Sequence, residues 1–328
     1  MARDTSVSNC AHLNEYGSQL YCRARAWITK VLLMRPDCEH SPQRPLLRDV
    51  TLRDGLQSIP EVFTTEQKIS IFECLVEAGI QDFQLTSFVN PARIPQMADA
   101  EDLYMQVKNR GVHIAVLVAN LKGFERASHV GAEVIDAVLS ASENYNNKNA
   151  ARTTEESATE IETMLRKSEN SGCTVDVSIA NCFHCFGEGT IDPSKVLTLT
   201  KRFHNAGART IWLSDTTGHA EPTAVADLTE KACRIGVQIG MHLHDTMGRA
   251  GENALAAHEA GAQRFDAVLG GLGGSPFTPA VGGNLSLETA LAVFSKAGIE
   301  TSISEPKLQA AREKFEAALI QAKSHLVE

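Results

Sequence analysis

From Leu46 onward, short β-rich runs alternate with stretches whose apolar residues recur at helical spacing. The candidate strands are 46–51, 80–86, 112–118, 133–140, 174–180, 208–214, 236–243 and 264–269. Helical patterns such as 65–78, 154–170 and 248–260 lie between them. Gly79, Gly111, Gly131, Gly172, Gly207, Gly236 and Gly261 sit just before or at the start of a strand, where left-handed backbone ends a helix. A repeat of helix, glycine and strand implies βα units on a parallel sheet. Eight such units over about 250 residues predict a single closed (β/α)8 TIM barrel. A doubly wound sheet is the rival, but no glycine-rich phosphate loop follows the first strand. Segments 286–296 and 305–324 are expected to cap or extend the barrel as extra C-terminal helix.

Residues 1–45 lack this rhythm and are read as an N-terminal extension to a barrel domain spanning 46–328. Residues 18–34 could form one basic amphipathic helix, but Asp4, Glu15, Asp37 and Glu39 argue against a transit peptide, and there is no signal-peptide apolar core. The expected location is therefore cytoplasmic, with a mitochondrial address the lesser alternative.

Composition narrows the function classes. Hydrophobic residues make up 43% and charged residues 22%, which excludes a disordered or fibrous chain. The net charge of −9 makes a dedicated nucleic-acid binder a poor reading, because neutralising phosphates takes clustered Lys and Arg. No apolar run reaches the roughly 20 residues of a membrane helix. Eight cysteines are too sparse for a disulfide scaffold and read as reduced thiols. Cys182 and Cys185 form a C-x-x-C without a second pair, so packing is the favoured reading for them.

In a TIM barrel the chemistry gathers at the C-terminal ends of the strands. Those ends carry Arg53 and Asp54, then Thr86 and Ser87, then Ser140, Ser142 and Glu143. Asn181 and His184 follow, then Asp215, Thr216 and Thr217, and finally His242, His244 and Asp245. After the eighth strand runs GGLGGSPFTPAVGGN, which closes on Asn284. His242 and His244, two apart on a strand, point to one face. In a closed barrel the seventh strand neighbours the eighth, and the eighth the first. Asp54 and Asn284 then lie beside the histidines. One carboxylate, two imidazoles and an amide oxygen suit Mg²⁺, Mn²⁺ or a similar divalent ion that also binds substrate. Arg53, turned by Gly55, is expected to reach over the metal and stabilise a developing oxyanion.

TLRDGLQ, LTSFVNPARIPQM, SASENYNNKN, LSDTTG, HLHDTMG and GGLGGSPFTPAVGGNLSLE occur in this order across about 46–300. As a set they resemble the 3-hydroxy-3-methylglutaryl-CoA lyases, within the superfamily of metal-dependent TIM-barrel lyases and Claisen-type synthases. The resemblance implies an acyl-CoA thioester substrate and a divalent metal held by Asp54, His242, His244 and Asn284. It assigns Arg53 to enolate stabilisation and places Asp54 near the base. Gln57, Ser87, Asp215 and Glu288 fall at positions that line or support the family's site. The implied reaction is a retro-Claisen cleavage to acetyl-CoA and a keto product. Condensation of an acyl-CoA with an oxo acid is the alternative, and a barrel kept for binding alone is a third. Three positions depart from the pattern: Ser275 stands where the family has a catalytic cysteine, Gln84 replaces a glutamate, and Asp49 replaces another. A serine hydroxyl is far less acidic than a thiol, so Ser275 as proton donor implies a related reaction or an altered substrate. Barrels of this kind often pair as homodimers, though no interface signature stands out.

Overall fold

The computed structural model describes residues 44–274 and 282–324. The N-terminal extension and Ser275 lie outside the described residues. Eight strands form one closed, all-parallel barrel. They are β1 Leu46–Asp49, β2 Asp82–Ser87, β3 His113–Val118, β4 Val134–Ser140, β5 Thr174–Ala180, β6 Thr210–Asp215, β7 Gln238–Leu243 and β8 Arg264–Ala267. Each strand pairs with its sequence neighbours, and β8 pairs with β1. The predicted TIM barrel is the observed fold. The seven glycines before the strands all have positive φ.

The surrounding helices are α1 Thr65–Glu77, α2 Ala100–Val107, α3 Leu121–His129, α4 Glu143–Ala150 and α5 Thr154–Ser168. They continue with α6 Pro193–Asn205, α7 Pro222–Cys233, α8 Ala250–Glu259, α9 Leu287–Lys296 and α10 Glu305–Ser324. Their starts follow from local chemistry. Thr64 with Gln67, and Thr153 with Glu156, close capping boxes that satisfy N-terminal amides of α1 and α5. Pro193 and Pro222 open α6 and α7, where a missing N–H costs nothing. α1 buries Ile71, Phe72 and Leu75 on one stripe, and the Phe72 ring packs tilted against Phe83 of β2, 4.6 Å between centroids. The C-terminal α10 packs back on this region, with Phe315 5.5 Å from Phe63.

Strand bounds shift by one or two residues from the periodicity, and two strands end two residues early. β1 ends at Asp49 rather than at 51, and β8 ends at Ala267 rather than 269. After β1 the carbonyl of Val50 accepts from the amides of Arg53, Asp54 and Gly55, so the chain leaves the sheet in a π-helical turn, Thr51–Gly55. Helix α4 has no apolar stripe to announce it. Ser142 caps it, and Asn146, its one buried residue, donates to the carbonyls of Arg152 and Thr153. A short antiparallel hairpin, His184–Cys185 with Gly189–Thr190, sits beyond β5.

The barrel interior is charged. Arg48 of β1 is fully buried and lies 3.3 Å over the ring of Trp212. Its guanidinium binds Asp266 of β8 at 2.6 and 3.0 Å and Asp136 of β4 at 3.2 Å. Nearer the strand starts, Arg264 of β8 pairs with Asp82 of β2. Among the described residues no helix is long and apolar enough to cross a membrane.

Candidate active site

The π-turn after β1 carries Arg53 and Asp54 to the C-terminal mouth of the barrel, and both are buried. Single π-turns recur at functional sites because they re-aim consecutive side chains. Here they aim Arg53 and Asp54 at each other: Nη1 of Arg53 donates to Oδ1 of Asp54. The two residues have already left the sheet, so they are not split to opposite faces as strand neighbours are.

His242 lies near the end of β7 and His244 just past it. Their Nε2 atoms are 3.2 Å apart. Oδ2 of Asp54 lies 3.9 Å from Nε2 of His242. One ligand atom from each of Asp54, His242 and His244 fits within 4.8 Å of the others. Asn284 joins them through the backbone. His244 and Asn284 form an isolated antiparallel bridge, and the amide of Leu285 donates to Leu243 at 2.8 Å. Its side-chain Nδ2 donates to Oδ2 of Asp54 at 2.6 Å, while its Oδ1 is buried without a partner. Gly273 is required beside it, since a Cβ there would collide with Nδ2 of Asn284.

These residues fit a divalent cation. Two imidazole nitrogens face one another across hydrogen-bond distance, a carboxylate stands beside them, and an orphaned amide oxygen is close by. Burial raises the Asp54 carboxyl, but the Arg53 guanidinium beside it leads the groups that outweigh burial and hold it below the ordinary carboxylate range. Burial, reinforced by His242, pushes His244 down to about 3, so its ring is neutral and able to ligate. Nδ1 of His242 lies 2.9 Å from Oδ2 of Asp266, a residue the sequence reading did not single out. The signal was present in the strand register: Asp266 pairs with His242 across β8 and β7.

The other expected site residues divide. Gln57 is half-buried just past the π-turn that holds Asp54. Ser87 ends β2, fully buried, with its hydroxyl unpartnered. Asp215 ends β6, but its carboxylate accepts from the amides of His219 at 3.2 Å and Ala220 at 2.9 Å, so it shapes the following loop. Glu288, in the first turn of α9, accepts from the amide of Gly270 at 3.2 Å and pairs with Arg312 at 3.4 Å. It holds Gly270, at the start of the glycine-rich segment. Asp49 is fully buried, and burial pushes its carboxyl up to about 7 despite hydrogen bonds from Thr51. Gln84 donates to Asp136 deeper in the barrel. Cys182 is buried and burial drives its thiol strongly upward, which fits packing.

Comparison with known proteins follows the same lines. The HMGL-like family model matches residues 44–314. The chain is 36% identical over 284 residues to an (R)-citramalyl-CoA lyase of Chloroflexus aurantiacus, covering 83% of this chain and 90% of that one. It is 33% identical over 270 residues to the human mitochondrial hydroxymethylglutaryl-CoA lyase, covering 81% and 83%. An HMG-CoA lyase from Acinetobacter baumannii, solved with coenzyme A and 3-methylmalate, superposes with a TM-score of 0.81 at 31% identity, covering 86% of this chain and 93% of that one.

Proposed function

This chain belongs to the HMGL-like family, and from that premise we propose a metal-dependent carbon–carbon lyase that cleaves a 3-hydroxyacyl-CoA thioester of the 3-hydroxy-3-methylglutaryl type. The reaction is a retro-Claisen cleavage, giving acetyl-CoA and a keto acid. Its relatives are named as lyases, which favours cleavage over the condensing direction. The observation that carries the reading is the convergence of Asp54, His242 and His244 within 4.8 Å at the barrel mouth, with Arg53 beside them.

Asp54, His242, His244 and Asn284 would hold the ion. With no thiolate among the donors, Mg²⁺ or Mn²⁺ suits them best. When bound, such an ion supplies Lewis-acid polarisation of substrate oxygens. The chain's own groups do the rest. Asp54 stays ionised at neutral pH, as a ligand must. The Nε–H of Arg53 is buried with no partner in the protein, which leaves a charged donor for the oxygen on which enolate charge develops. Asp54 stands near the base that takes the substrate's hydroxyl proton, and Ser275 is the proposed donor to the enolate carbon. Gln57 and Ser87 line the substrate's approach; Asp215 and Glu288 set the loops around it.

Two acyl groups are in view. The 3-hydroxy-3-methylglutaryl and citramalyl thioesters differ by one methylene in the acid arm, a difference worth roughly 1–3 kcal/mol to a fitted pocket. Purified Mn²⁺-loaded protein is incubated with each thioester and the keto product identified. Acetyl-CoA release that EDTA abolishes supports the lyase, and the faster thioester identifies the arm. A folded, Mn²⁺-binding protein that cleaves neither overturns the substrate class.

A further inference from the structure

The metal reading above leaves open what aims the histidines. One side chain does so by position. On β8, Asp266 is 3% exposed and directs Oδ2 at Nδ1 of His242, 2.9 Å away. The same carboxylate is gripped from below: Arg48 donates Nε to Oδ1 at 2.6 Å and Nη2 to Oδ2 at 3.0 Å. Arg48 has no freedom to drift. Trp212 lies flat beneath its guanidinium, and Asp136 takes Nη1 at 3.2 Å. Asp136 is itself fixed by Ser178 at 2.7 Å and by the Gln84 amide. Six strands, β1, β2, β4, β5, β6 and β8, thus converge on one buried chain of contacts that ends at a ring nitrogen of His242.

We propose that Asp266, clamped by Arg48, is the positioning residue of the metal site: it holds the proton of His242 on Nδ1 and so keeps Nε2 bare and aimed at the cation. The inference rests on the metal reading of Asp54, His242 and His244. The chemistry is direct. A carboxylate accepting two bonds from Arg48 can only accept from the imidazole, so Nδ1 carries the hydrogen and the lone pair lies on Nε2. In the metal-free protein, Nε2 of His244 then donates across the 3.2 Å gap to that lone pair. The proposal also accounts for Gln84. An amide can donate to Asp136, whereas a carboxylate there would face a second buried carboxylate and loosen the clamp.

The test compares two buried ion pairs in one barrel. Asp266→Asn changes the pair that reaches His242; Asp82→Asn changes the pair with Arg264, which does not. Both variants are expected to melt at lower temperature. Mn²⁺ affinity, read by electron paramagnetic resonance of the free ion, should fall roughly 10–100-fold in Asp266→Asn and stay within about twofold in Asp82→Asn. The visible spectrum of bound Co²⁺ should change only in Asp266→Asn. Equal Mn²⁺ affinity in Asp266→Asn and the parent overturns the proposal, as does an equal loss in Asp82→Asn. A parent protein with no His242-dependent Mn²⁺ binding overturns the metal reading and this proposal together. Should Asp266→Asn fail to fold, ¹⁵N-histidine NMR on the unmutated, metal-free protein decides. A protonated Nδ1 and a bare Nε2 on His242 are expected, and the opposite tautomer overturns the assignment.

Discussion

The barrel holds two polar layers that look alike in composition and differ in satisfaction. Toward the strand starts, Arg264 pairs with Asp82 and lies 3.4 Å from Thr210 and Gln238, which leaves one of its atoms, Nε, buried without a partner. At the strand ends, polar groups are gathered without being matched. Nε of Arg53, Oγ of Ser87, Nδ1 of His244 and Oδ1 of Asn284 are all buried with no partner in the protein. An unmatched buried polar atom costs about 1–3 kcal/mol. Four of them at one end of a barrel are a cost that a bound cation and substrate would offset. The lower layer holds the fold, and the upper layer waits for ligands. Arg48 and its carboxylates lie between the two and are bonded to the upper one, through Asp266 and His242.

The sharpest way to break that comparison is His242→Ala. Mn²⁺ affinity should fall sharply and lyase turnover with it, while stability in EDTA falls by about 1–3 kcal/mol for the lost bond to Asp266; calorimetric Mn²⁺ titration reads the first, and normal Mn²⁺ binding contradicts the site. Next in size is Asp82→Asn. Leaving Arg264 unpaired should cost about 3–5 kcal/mol of stability in urea, with metal affinity untouched.

Asp49 gives a pH-dependent case. Its folded carboxyl is raised to about 7, above the unfolded value near 3.9. The stability it contributes is therefore present below pH 4 and lost as pH rises through 7. Asparagine mimics the neutral form at every pH. Asp49→Asn should gain stability over the parent by on the order of 2 kcal/mol between pH 5 and pH 8. Urea midpoints that track one another over that range would show the carboxyl is not raised. The smallest effect expected is Ser275→Cys. A more acidic donor at that position should raise lyase turnover by about tenfold, or 1.4 kcal/mol of barrier. Unchanged turnover removes Ser275 from the acid role.

Much of this was readable from residues alone, for physical reasons that differ by region. Alternating apolar runs and pre-strand glycines report the barrel because the sheet and helix periods are properties of local chain geometry. The i, i+2 spacing of His242 and His244 placed both rings on one face, and barrel closure brought Asp54 and Asn284 beside them. What the residues could not report depends on turns and on partners distant in sequence. The π-turn at Thr51–Gly55 is set by one carbonyl, Val50, collecting three amides; Gly55 signals a turn but not its π geometry. Helix α4 is mostly polar, and its one buried residue is Asn146, with Tyr145 packed partly buried against the core. The pairing of Asp266 with His242 spans 24 residues and becomes visible only when β7 and β8 are laid in register. The acceptance of the His219 and Ala220 amides by Asp215 likewise depends on the loop that follows β6 and is not legible in the residue type.

The most direct test of the account strips the protein with EDTA and follows acetyl-CoA release from 3-hydroxy-3-methylglutaryl-CoA and from citramalyl-CoA as Mn²⁺ is returned, with His242→Ala alongside. Release from at least one thioester that is absent without metal, rises with Mn²⁺ in the parent and never appears in His242→Ala is the predicted result. Release that proceeds undiminished in EDTA, or survives the loss of His242, would contradict a metal-dependent lyase at this site.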